Sequence, residues 1–108
     1  MDLTRKKCVP CEGGTPPMSE SDEDKYMKET PEWSLDREGD HNIERRFKFD
    51  DFGAAMKFVN DVAALAEEEG HHPDICINYN KVQLDLSTHA AGGLTENDFI
   101  LAAKIDRL

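Results

Sequence analysis

The stretch Ile75-Cys76-Ile77-Asn78-Tyr79-Asn80-Lys81-Val82-Gln83-Leu84-Asp85-Leu86 decides the fold. Apolar and polar residues alternate on both sides of Asn80, so each half reads as a strand with one apolar face and the middle as a tight turn. Together they predict a β-hairpin. Working upstream, Phe52, Ala55, Val59, Val62, Ala63 and Ala66 recur at helical spacing, which predicts a helix from Phe52 to about Glu69, ended by Gly70. Before it, Ile43, Arg45, Phe47 and Phe49 alternate as a strand, and Trp33 with Leu35 forms a short extended piece. Glu38-Gly39-Asp40 supplies the turn between these two. Ser19, with Asp22 three residues on, opens a first helix running to about Thr30 and stopped by Pro31. Downstream of the hairpin, Thr95 with Asp98 starts a last helix that turns Phe99, Ala102, Ala103 and Ile105 inward. The resulting order, α-β-β-α-β-β-α, predicts an α+β single domain over residues 19–108: a four-stranded antiparallel sheet with three helices on one face. Residues 1–18, with Pro10, Gly13, Gly14, Pro16 and Pro17, read as an N-terminal arm, extended rather than packed.

Composition narrows the function. A chain of 108 residues holds one core that needs no disulfide staples. The net charge of −10, from 23 acidic and 13 basic side chains, would repel a phosphate backbone and an anionic bilayer surface. Direct nucleic-acid and membrane partners are therefore disfavoured, and no apolar run is long enough to span a bilayer. Met1 to Lys7 lack the apolar core of a secretory signal, and Cys8, Cys11 and Cys76 make an odd count, which fits a reduced, cytoplasmic protein. Cys8-Val9-Pro10-Cys11 has metal-knuckle spacing, but a structural zinc site wants four ligands and no second cysteine pair follows. Two ordinary thiols are expected there.

The chemistry sits in the histidines. His71 and His72 precede the third strand and His89 follows the fourth. Counting outward from Asn80 sets position 71 opposite 89, so three imidazoles meet at one end of the sheet. Rings that titrate near pH ~6.5 can divide the work of proton donor and acceptor at neutral pH. The same three rings could instead bind zinc, with water in a fourth position, as in a metal-dependent hydrolase; adjacent ligands on an extended segment tend to diverge, so that needs a turn at Pro73. Glu67, four residues before His71, could orient an imidazole or bind a nitrogen heterocycle. It also belongs to an acidic run, Glu67-Glu68-Glu69, that is unfavourable at a helix C-terminus. Asp98 reads first as half of a capping box with Thr95. His41 reads as a solvated loop residue, and Trp33 more as core than as ligand platform.

Glu67-x-x-x-His71-His72-Pro73, then Tyr79, His89 and Asp98 at their spacings, resembles the signature of the pterin-4a-carbinolamine dehydratases. Asn78-Tyr79-Asn80-Lys81-Val82, Leu86-Ser87-Thr88-His89 and Gly93-Leu94-Thr95 are similar to the family as well, over residues 19–108. The arm Lys6-Lys7-Cys8-Val9-Pro10-Cys11-Glu12-Gly13-Gly14 resembles the longer N-terminus of plant, protist and bacterial members, which mammalian members lack. The resemblance implies a hydro-lyase that converts 4a-hydroxytetrahydrobiopterin to quinonoid dihydropterin and water, in tetrahydrobiopterin recycling, without a metal or other cofactor. It implies His71, His72 and His89 as the catalytic set, with Glu67, Ser87, Thr88, Trp33 and Asp98 about the substrate. It implies a homodimer or homotetramer too. Some mammalian relatives also serve as dimerisation cofactors of a homeodomain transcription factor, which makes a protein-binding module the competing class.

Overall fold

A computed structural model of the chain describes residues 1–10 and 14–108. Its elements are α1 (Glu20–Met27), β1 (Ser34–Asp36), β2 (Asn42–Lys48), α2 (Phe52–Glu69), β3 (Asp74–Asn78), β4 (Lys81–Leu86) and α3 (Glu96–Ile105). The strands form one antiparallel sheet in the order β1-β2-β4-β3. The expected α+β order, α-β-β-α-β-β-α, is present, with three helices and four strands.

Local chemistry sets the boundaries. Ser19 Oγ accepts the Asp22 N–H at the start of α1, and Asp51 Oδ1 accepts the Ala54 N–H at the start of α2. Gly70 ends α2 in the left-handed region, at φ 68°, which costs a glycine nothing sterically. At α3, the Thr95 N–H donates to Asp98 Oδ2, the returning half of a capping box.

Ile43 of β2 and Val82, Leu84 and Leu86 of β4 are buried, and α2 and α3 lie over them through Val59, Val62, Phe99 and Leu101. Flank contacts complete the core: Tyr26 of α1 tilts against Phe99 at 5.3 Å, and Phe58 meets Phe47 and Phe49 at 4.6 and 5.0 Å. The other face of the sheet is polar. There Arg46 Nε donates to Gln83 Oε1, whose amide donates to Glu44 and Asp85.

Four local expectations fail, each for a physical reason. The hairpin turn is the pair Tyr79-Asn80, closed by Asn78 opposite Lys81, so the register is one residue off the expected one. Only this register puts Ile75 opposite Leu84 and Ile77 opposite Val82, apolar against apolar on one face. Tyr79 makes the turn at φ 54°. The whole of β3 is exposed, Ile75 and Ile77 included, because it is the edge strand and lies beyond the helices' cover. On α2, Phe52 and Ala63 face outward, while the inward stripe is Ala55, Val59, Val62, Ala66 and Glu69. Finally, the start of the arm is packed: Leu3 is in the core, within a 3-10 turn, Leu3–Arg5, that lies against α3.

Leu84 is fully buried on the central strand β4. Leu84→Ala is expected to lower the unfolding free energy by about 3 kcal/mol, read from denaturant melts.

Candidate active site

Antiparallel pairing brings the start of β3 beside the end of β4, which is what gathers the histidines. Gly70 releases the chain from α2, so His71 and His72 leave the helix axis and lead into β3. On the other side, Thr88 pairs with Gly93 in an isolated bridge, its N–H donating to the Gly93 carbonyl at 2.8 Å. That bridge closes a short loop whose 3-10 turn, His89–Ala91, begins with His89. His71, His72, Ser87, Thr88 and His89 line one hollow of about 290 Å³. A depression of about 370 Å³ elsewhere on the sheet, between Arg46 and Cys76, contains no imidazole.

Asp98 organises this hollow from beneath. Its carboxylate is fully buried and accepts three hydrogen bonds: from His71 Nε2 at 2.6 Å, Thr88 Oγ1 at 2.8 Å and the Thr95 N–H at 3.0 Å. A carboxylate can only accept, so the proton of a neutral His71 ring sits on Nε2 and Nδ1 is the basic nitrogen. The capping role read from the sequence is real, and the same group also fixes an imidazole.

His72 is more loosely placed. Its Nε2 faces Glu67 Oε1 at 2.8 Å, but both side chains are exposed, and a surface pair of this kind contributes little to stability. Among the described residues the His89 imidazole has no hydrogen-bond partner, and it stands exposed on its loop. Ser87 Oγ donates to the His41 carbonyl at 2.8 Å, which ties the lip of the hollow to the loop before β2.

Trp33 is core, as its residue type suggested: it is buried at the opposite end of α3, where its indole N–H donates to Asp106 Oδ1 at 2.8 Å, and it does not line the hollow where the family resemblance would set it. His41 is not a solvated loop residue, since its Nδ1 meets Glu23 Oε2 at 2.7 Å, and Glu23 is wholly buried. Arg37 Nε donates to the other oxygen of Glu23 at 2.9 Å, so that buried carboxylate is paired on both sides.

Sequence reading passed over Glu69 and Asn97. The signal for Glu69 was present: an acidic run at a helix C-terminus is costly unless something offsets it. Its buried carboxylate bonds Lys104 Nζ at 2.9 Å and the Cys8 N–H at 3.0 Å. Burial alone would raise its pKa, but those two donors outweigh burial and hold it below the usual glutamate range. At Cys8, burial and then the neighbouring Glu69 push the thiol up to about 12, so it stays protonated at neutral pH. Cys11 lies outside the described residues. Among the described residues, no three His, Cys, Asp or Glu side chains are grouped so as to hold a metal ion. His71 and His72 instead turn Nε2 towards separate carboxylates. Among the described residues, too, no helix is long and apolar enough to cross a membrane.

Known proteins are similar to this chain in sequence and fold. A Halorhodospira halophila protein provisionally named pterin-4-alpha-carbinolamine dehydratase is 50% identical over 100% of this chain and 98% of its own. A Rubrobacter xylanophilus protein of the same provisional name is 44% identical over 99% of this chain and 98% of its own. Among solved structures, a transcriptional coactivator/pterin dehydratase from Brucella melitensis aligns with TM-score 0.78 at 33% identity, over 84% of this chain and 96% of that one. A pterin dehydratase-like protein, identified as a RuBisCO assembly factor in the alpha-carboxysome, aligns with TM-score 0.60 at 26% identity, over 69% of this chain and 86% of that one. Residues 16–108 match the family described as pterin 4 alpha carbinolamine dehydratase, and with most of its length so matched the chain belongs to that family.

Proposed function

We propose that this protein dehydrates a 4a-hydroxytetrahydropterin to quinonoid dihydropterin and water by histidine acid/base catalysis, as a step in tetrahydrobiopterin recycling. The observation that carries this reading is the shared hollow of His71 and His89, one imidazole fixed by a buried carboxylate and the other free. Loss of water from C4a breaks the C4a–OH bond as the N5 lone pair forms a C=N bond. One group must give a proton to the departing hydroxyl and another must take the N5 proton. Two imidazoles in opposite protonation states meet that need, and each positioned transfer contributes on the order of 10²–10⁴ in rate. The nitrogen supplies the push, so no covalent intermediate is required.

His71 and His89 form the acid/base pair in this reading, with the basic Nδ1 of His71 as one partner. His72, steadied by Glu67, orients the substrate or assists the transfer. Ser87 and Thr88 shape the rim, while Asp98 acts through His71 as a positioning residue.

A protein-binding role is the second reading, favoured by the description of the Brucella relative as a coactivator as well as a dehydratase. Such a partner, or a second copy of the chain, would find open ground along the exposed edge strand β3. A pull-down that survives His71→Ala would separate that role from the dehydratase.

Stopped-flow decay of the 4a-hydroxy species is expected to accelerate with the protein present, and His89→Ala to slow that turnover at least about tenfold. An unchanged rate would remove His89 from the mechanism. In Asp98→Asn, the new amide N–H would face His71 Nε2 and force the ring proton onto Nδ1. A loss on the order of 10²–10⁴ in kcat is expected in the same assay, with the fold retained by circular dichroism.

A further inference from the structure

The arm that precedes the folded domain reaches the same hollow. Val9, Pro10 and Asn97 line it together with the histidines. Asn97, in the first turn of α3, is nearly buried and spends both ends of its amide on the arm: Oδ1 accepts the Val9 N–H at 3.0 Å and Nδ2 donates to the Val9 carbonyl at 2.6 Å. This side chain pairs with the backbone as a neighbouring strand would. One residue earlier the Cys8 N–H donates to Glu69 Oε1, itself tied to Lys104, and Cys8 Sγ–H reaches the Asn97 carbonyl at 3.5 Å. The arm is thus clamped backbone first, which leaves Val9 64% exposed at the hollow.

A flat heterocycle needs an apolar surface for its faces as well as polar groups for its edge. In the hollow, His71, His72, His89, Ser87 and Thr88 provide the polar groups, and the aliphatic side chains are Val9, Pro10 and Ala90. Resting on the dehydratase reading above, we infer that the N-terminal arm forms the apolar wall of the pterin site, with Val9 against the substrate and Asn97 and Glu69 as the positioning residues that hold the wall in place. Asn97 is next in sequence to Asp98, which fixes His71. A single helical turn therefore positions both the wall and the acid/base group.

The wall acts on binding, so its loss should appear in KM and not in kcat. In steady-state dehydratase assays, Val9→Asp and Asn97→Ala are expected to raise KM for the pterin about tenfold with kcat within about twofold of wild type. Val9→Ile should keep the wild-type KM. Cys8 gives a readout free of activity: alkylation by iodoacetamide, located by peptide mass spectrometry, should be slow in the wild type and faster in Asn97→Ala. Unchanged Cys8 labelling would overturn the clamp, and an unmoved KM in Val9→Asp would overturn the wall. If Asn97→Ala folds poorly, Val9→Asp decides alone, because Val9 is exposed and lies outside the core. A wild-type protein with no dehydratase turnover would sink both this inference and the reading beneath it; an active wild type with unmoved KM sinks the wall only.

Discussion

Everything at the histidine hollow depends on one buried anion. The Asp98 carboxylate is removed from water and accepts hydrogen bonds from three separate segments: the loop after α2, the loop after β4 and the start of α3. A buried charge without partners would be costly, so each donor is needed and none can drift without exposing an unmet acceptor. His71 and Thr88 are therefore fixed in place, while His72 and His89 stand more openly at the rim. Thr88 strengthens this hold by sharing its hydroxyl between Asp98 and Thr95.

The sheet supplies the platform for that arrangement. β4 lies between β2 and β3, with Val82, Leu84 and Leu86 buried under the helices, so its C-terminal end is among the most constrained points of the chain. From there Ser87, Thr88 and His89 emerge. The edge strand β3 is much less constrained, but His71 does not rely on it, since Asp98 holds the ring from α3. Precision comes from the middle of the sheet and from α3, while the outer strand only closes the outline.

The architecture was legible in the sequence because period-2 and helical spacing are strong signals in Ile75–Leu86 and in α2. Convergence of His71, His72 and His89 was legible too, since any hairpin brings the start of one strand beside the end of the next. What failed was local. The one-residue register error came from treating Asn80 alone as the turn, although matching Ile77 to Val82 and Ile75 to Leu84 would have corrected it. The exposure of β3 could not be read from its alternation, because an apolar face says which way a strand looks and not whether a helix reaches it. His41 and Glu69 were misplaced or missed for a related reason: their partners, Glu23 and Lys104, are distant in sequence. Asn97 gave no periodic signal, because it acts through its amide and not through packing.

Glu23 extends the reach of the site well beyond the signature residues. This buried carboxylate in α1 grips His41, and the His41 carbonyl receives the hydroxyl of Ser87 at the rim. Arg37 guards the same carboxylate from the outside while also bonding Asp24. A surface arginine that touches no histidine thus shares in fixing where the pocket opens. The stretch of sequence on which the shape of the hollow depends thus takes in the first helix, far ahead of the motif that identifies the family.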